Sequence, residues 1–342
     1  MPQVSVEQIR SRLAAIGVRK AHYEQKSSTP PERLARHEVW RHDYLSYPYM
    51  IGAPDDRVGK RFCDIFMNTT ELGPDAKIGV HDFQKDDTLS QKFTHMLEEY
   101  GSRSGGPPVD VVAAARRPVV RYFENGDPIA VKLFAGYQAP SAPFLVKYGR
   151  KEFLEPMLRE GRIRICPAAY YNDASHIQSV QDDEAHRTFF IPTFRERLEG
   201  KDFIEFQGHE VVFGDDDIVI PVICRDYFLF SLCDQIYYRL PTDFNADAAL
   251  IIRDPALFTR RIVSHFLARR PEWEPLHGPV TYYDPYRDYK KVTVPEMSKH
   301  FGYAYQREMR IAFRSRQPVR AGLLPEFLKI GSLSDYADLV SV

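Results

Sequence analysis

At 342 residues the chain is long enough for two domains, and its 44% hydrophobic and 27% charged residues are ordinary globular composition. Lys and Arg number 46 against 47 Asp and Glu, a net charge of −1, which excludes a global field favouring nucleic acid or an anionic membrane. No apolar run approaches the ~20 residues that span a bilayer and no apolar leader opens the chain, so the expectation is a soluble, unsecreted, cytoplasmic protein with no membrane partner.

The cysteines Cys63, Cys166, Cys224 and Cys233 lack C-x-x-C spacing and sit in apolar strings. That pattern fits buried, reduced thiols and indicates neither zinc nor a disulfide framework.

In chain order, Ser5 and Gln8 form a capping box ahead of Val6, Ile9, Leu13 and Ile16 at helical spacing, with Gly17 as the expected stop. Ser-Ser-Thr-Pro-Pro at 27–31 breaks the chain, and a second helix is expected from Pro31 to about Tyr44. Residues 60–80 carry no clear period. Leu89, Phe93, Met96, Leu97 and Tyr100 mark an amphipathic helix from Asp87 or Thr88 to Gly101. The Gly-rich loop at 102–108 lacks the strand before it and the GK[ST] after it that a phosphate cradle needs. Val119–Phe123 and Ile129–Phe134, joined across Asn125-Gly126, read as a β-hairpin because Asn-Gly supplies positive φ angles. Two prolines in 137–143 place the domain boundary there, dividing a mainly helical 1–140 with its hairpin from a second unit, 141–342.

The second unit reads as α+β. Phe144–Tyr148 is a strand, Phe153 to Leu158 a short helix ended by Gly161, and Arg162–Cys166 the next strand. Strands are also expected at Phe203–Phe206, Glu210–Phe213, Ile218–Ile223, Tyr227–Leu232, Ala248–Ile252 and Val280–Tyr283, with a helix from Pro255 to about Ala268. A long strand, Tyr303–Arg314, is followed by a short one at Leu328–Ile330 and a last helix. In that long strand Tyr303, Tyr305, Met309, Ile311 and Phe313 share one parity and Gln306, Glu308 and Arg310 the other. The polar row would face out of the core, as a cleft or as plain solvated sheet.

No Walker loop, G-x-S-x-G elbow, H-E-x-x-H or dinucleotide G-x-G-x-x-G is present. His209, His265, His277 and His300 stand singly and take no role. Asp182-Asp183-Glu184 would suit a divalent cation, although a solvated acidic loop is its ordinary meaning.

Four motifs in order do carry a signal: Leu145-Val146-Lys147-Tyr148, Tyr171-Asn172-Asp173, Phe230-Ser231-Leu232-Cys233 and Gln306-Arg307-Glu308-Met309-Arg310. Over about 144–332 they resemble a family of uncharacterised bacterial domains with a Lys-Tyr first strand, an aromatic-Asn-Asp turn, a serine-bearing apolar strand and a late Glu-x-Glu-aromatic-Arg strand. They are also similar in order to the ADP-ribosyltransferase superfamily. There a polar residue on a first strand precedes a serine or tyrosine on a middle strand and Gln/Glu-x-Glu on a late one. The resemblance implies an ADP-ribosyltransferase-like split β-sheet with flanking helices, and NAD as substrate. Two positions depart from that superfamily: Lys147 stands where Arg or His is usual, and Ser231-Leu232-Cys233 where a Ser-Thr-Ser type is expected.

On that resemblance Glu308 would meet the positive charge that develops on the ribose as nicotinamide leaves, and Gln306 would position an acceptor. Ser231 would orient Glu308 or the ribose, Tyr148 would stack on nicotinamide, and Lys147 or Arg310 would hold the pyrophosphate. The implied activity is an ADP-ribosyltransferase or NAD glycohydrolase of a bacterial toxin or antiviral-defence effector, with a protein or nucleic acid as acceptor. The alternatives are a non-catalytic module that senses or docks a defence-system partner protein, and a metal-dependent nuclease built on Asp182, Asp183 and Glu184.

Overall fold

Six antiparallel strands carry the fold, in the order Trp273–Pro279, Glu308–Ser315, Phe228–Cys233, Leu145–Gly149, Ala248–Ile252, Ala337–Ser341. They belong to a computed structural model that describes residues 4–28, 33–81, 86–173, 183–317 and 322–342. Period-two alternation sends Phe228, Phe230, Leu232, Ile311 and Phe313 to one face, where Phe258, Ile262 and Phe266 of the helix Pro255–Arg269 cover them. Leu154 and Met157 of the helix Lys151–Glu160 complete this core. Phe266 stacks on Phe313 with ring centroids 3.7 Å apart, and burying each such side chain stabilises by about 1.5–3 kcal/mol. The Lys151–Glu160 helix ends at Gly161, whose φ of 65° is left-handed. A Cβ at Gly161 would lie 2.2 Å from the Gly331 carbonyl oxygen, so the crossing of these two backbones requires glycine.

The central strand Phe228–Cys233 pairs with Glu308–Ser315 along one whole edge and changes partner along the other. There Phe228 and Leu229 face Pro167 and Cys166 of the strand Arg162–Pro167, whereas Cys233 faces Val146. Between those contacts, at Phe230–Leu232, the sheet forks. The Arg162–Pro167 branch continues to a further strand, Glu326–Lys329.

In residues 1–140 the helices Val6–Ser28, Arg36–Ser46, Asp55–Thr69 and Asp87–Arg103 pack together. Their core is completed by Phe301 from far along the chain, buried among Tyr49, Val58, Phe62, Ile65 and Met96. Polar contacts lock the same junction. Arg61 makes a bidentate pair with Asp284 at 2.9 and 2.6 Å, Asn68 accepts from the Tyr305 backbone at 2.7 Å, and Tyr122 donates to Asp243 at 3.1 Å.

Several expectations are corrected. Residues 119–134 are not a hairpin. They comprise the end of the helix Val109–Val120, a 3-10 turn Arg121–Phe123 and the helix Ile129–Leu133. Ala113, Ala114 and Ala115 favour helix, and Gly126, with φ of 87°, serves a helix-to-helix turn instead. The first helix runs through Gly17 to Ser28, since one glycine costs about 1 kcal/mol against a long amphipathic run. The second begins at Arg36, while Pro31 lies outside the described residues. The unassigned 60–80 holds most of the Asp55–Thr69 helix and a short antiparallel pair, Thr70–Leu72 with Ile78–Val80. Strands His186–Ile191 and Trp273–Pro279 were not anticipated, and the last element is the strand Ala337–Ser341 rather than a helix. The long strand begins only at Glu308: Phe301–Gln306 is a 3-10 helix and Arg307, at φ 43°, turns the chain into the sheet.

Candidate functional site

The register places Arg310 opposite Ser231 and Glu308 opposite Cys233, so these side chains share the face turned away from the aromatic core. The Ser231 hydroxyl donates to Glu308 Oε1 at 2.6 Å, and Arg310 Nε donates to the same oxygen at 2.8 Å. Lys299 Nζ donates to Glu308 Oε2 and to Gln306 Oε1, each at 3.1 Å. The Glu308 backbone N–H donates to the Tyr282 hydroxyl at 2.8 Å.

Behind Glu308, Arg310 grips Glu184 with both terminal nitrogens at 2.9 and 2.8 Å. Glu184 also accepts from Arg187 at 3.0 Å and from the Tyr227 hydroxyl at 2.7 Å. The result is a continuous chain, Lys299, Glu308, Arg310, Glu184, Arg187, of three cations and two carboxylates.

This row is not exposed. Gln306, Glu308 and Arg310 are 3%, 4% and 1% accessible, which removes the plain solvated sheet of the two alternatives inferred from parity. The alternation is real, but the second face of the sheet is covered too, by Glu184, Tyr227 and Lys299. Burial opposes the charge on Glu308, yet Arg310 and Lys299, with hydrogen bonds from Arg310 and Ser231, hold its carboxyl well below the usual range. Glu184 is likewise penalised by burial and drawn down to about 2 by Arg310, Lys299 and Arg187.

At the fork of the sheet lies a cavity of about 190 Å³ lined by Lys147, Tyr148, Ser231, Gln306 and Glu308. Five of the six residues singled out from sequence therefore meet there. Lys147 spans the fork: its ammonium donates to the Ser231 carbonyl oxygen at 2.7 Å and lies 4.6 Å from the centre of the Phe230 ring. Burial lowers the pKa of that ammonium. Tyr148 is a core aromatic whose hydroxyl accepts from the Tyr237 backbone at 2.9 Å, with its ring 6.2 Å from that of Phe244. Arg310 stands behind Glu308, 1% accessible, also donates to the Tyr227 hydroxyl and the Glu296 carbonyl, and does not line the cavity where a pyrophosphate would have to meet it. That expectation fails.

Lys299 and Tyr282 contribute to or flank the site and were missed, while Tyr171 and Glu184, named in the sequence, were given no place in it. Lys299 sits in a three-residue strand, Ser298–His300, with no pattern to mark it. Glu184 was read as a solvated acid, and the Arg187 three residues on was the available clue to its pairing.

The acidic run does not converge on one point. Asp183 is exposed beside His186 at 3.0 Å, Glu184 turns into the core, and Asp182 lies outside the described residues. Among the described residues no group of three His, Cys, Asp or Glu is placed to hold a metal ion, and no helix is long and apolar enough to cross a membrane. Set beside known proteins, the chain matches no family model, no curated protein and no solved structure.

Proposed function

We propose that the fork cavity binds the nicotinamide–ribose end of NAD and that the chain is an ADP-ribosyltransferase or NAD glycohydrolase of the toxin or antiviral-defence kind, with an ADP-ribosyltransferase-like second unit. The observation that carries this reading is the meeting of Gln306, Glu308, Ser231, Lys147 and Tyr148 on one cavity. Its volume, about 190 Å³, is below the 300–1,000 Å³ typical of whole-ligand pockets, so the adenylate end would lie outside it.

Loss of nicotinamide leaves positive charge on the ribose C1′. An ionised, fixed carboxylate beside it lowers the barrier because its orientation is set before the reaction begins. Arg310, Lys299 and Ser231 keep Glu308 ionised and immobile. Lys147, half-buried on the cavity wall, is the cation placed to meet a phosphate.

A second reading, binding without turnover, is favoured by one fact. Both Glu308 oxygens already accept hydrogen bonds, and two cations offset their charge.

The test is nicotinamide release from NAD by the whole chain, with calorimetry of NAD binding alongside. Release by wild type and a tenfold or greater fall in Ser231→Ala at unchanged melting temperature support catalysis. Binding without release assigns the second reading. Neither binding nor release overturns both.

A further inference from the structure

A second cavity, of about 270 Å³, opens where the two units meet, with Thr88, Leu89 and Lys92 of one helix on one side and Tyr237, Tyr305 and Arg307 on the other. Tyr282 stands between it and the fork cavity: its ring lines the second cavity and its hydroxyl takes the Glu308 N–H. We propose that this junction cavity binds a small flat ring bearing a single anionic group, carboxylate or phosphate, with Lys92 as the residue that holds the anion. This inference does not rest on the NAD reading.

Lys92 is 7% accessible, yet its ammonium makes no hydrogen bond to a described residue. The nearest carboxylate oxygen, Asp284 Oδ2, is 4.0 Å away, and Asp284 is already gripped by both terminal nitrogens of Arg61. The Phe301 ring also lies near the charge, 5.4 Å to its centre. A buried ammonium normally finds partners, because its desolvation is costly. Here its open side is the cavity. Burial, with Arg61 adding to it, lowers the Lys92 pKa, and an anion would reverse that effect.

The walls determine the rest of the ligand. The Tyr305 ring is backed by the Arg239 guanidinium at 3.9 Å and Tyr237 by Arg307 at 5.5 Å, so both rings are braced as flat surfaces. Glu71 and Asp86, beside His81, also line the cavity, as do Arg307 and Arg239, the latter paired with Asp243, so the wall carries both signs. A single charge on a ring satisfies Lys92 without bringing a second anionic group against the two wall carboxylates.

The experiment is calorimetry on the full chain with four probes: nicotinate and AMP, which combine ring and anion, adenosine, which lacks the anion, and inorganic phosphate, which lacks the ring. Nicotinate or AMP should bind at least tenfold more tightly than adenosine or phosphate. Binding should fall tenfold or more in Lys92→Met. It should also be lost in Thr88→Trp, which fills the cavity from an exposed helical position and leaves the fold intact. Neither residue lines the fork cavity, so binding there would survive both changes. Equal binding by the two variants, phosphate as tight as AMP, or no binding of either ring anion overturns the proposal.

Discussion

The Lys147 ammonium donates to the Ser231 carbonyl oxygen across the fork, where no described strand pairs with the central strand on that edge. A side chain thus stands in for a missing strand, and the same side chain lines the cavity that the fork creates. An unpaired buried carbonyl costs free energy, so the opening in the sheet depends on this cation.

Lys147→Met is therefore expected to destabilise the protein by about 1–3 kcal/mol, the penalty for stranding a buried acceptor. Urea denaturation at pH 7 measures it. A midpoint equal to that of wild type would mean that water or a neighbouring donor satisfies Ser231 equally well.

Glu308→Gln is expected to cost on the order of 3–5 kcal/mol, because it removes the carboxylate that Arg310 and Lys299 share and leaves both cations buried with less counter-charge. An exposed position would have cost about 0.5 kcal/mol at most. Activity of this variant is meaningful only on its folded fraction, so denaturation and NAD assays belong on the same sample. A variant as stable as wild type would show that the ion chain adds nothing to folding.

Asp217 gives a pH signature. Its Oδ2 accepts from Arg57 at 3.0 Å and from the Tyr286 hydroxyl at 3.3 Å. Burial raises its pKa from 3.8 to about 6, with Arg57 opposing and Asp216 assisting. The folded state therefore holds this proton more tightly than the unfolded state. Its contribution is complete below pH 3.8 and is lost as pH rises through about 6, on the order of 3 kcal/mol in all. Glu184, lowered from 4.5 to about 2, has the opposite sign: its contribution is present above 4.5 and lost as pH falls through about 2. Denaturation midpoints of wild type and Asp217→Asn between pH 4 and 7 should diverge, with wild type losing ground as pH rises. Parallel profiles would remove Asp217 as the cause.

Arg61 and Asp284 tie the N-terminal helices to the later part of the chain. Each single change to a neutral residue is expected to cost about 3–5 kcal/mol, and the pair replaced together by apolar residues much less than the sum. A double-mutant cycle by denaturation tests this. Additive costs would show that the two charges act separately.

Part of the site was legible because a strand has period two. Given Glu308 on one parity of its strand and Ser231 on its own, antiparallel pairing brings them together without further information. The depth of the site was not legible. Period two says which residues share a face and nothing about what lies over it, and the cover comes from Glu184, Tyr227 and Lys299 at other places in the chain. The hairpin inference failed because Asn125-Gly126 specifies a positive-φ turn without specifying what it joins. The start of the late strand was missed because Tyr303 and Tyr305 keep its parity while Arg307 breaks its backbone.

The core completed by Phe301 has a consequence for biosynthesis. The helix Asp55–Thr69 leaves the ribosome long before Phe301 exists, and Arg61 waits 223 residues for Asp284. Contacts that distant carry a large loop-closure cost and slow folding. A nascent chain arrested short of residue 284 should therefore stay open to protease across 55–69, becoming resistant only once residue 301 has emerged. Until then the early helices present apolar faces to whatever chaperone is at hand.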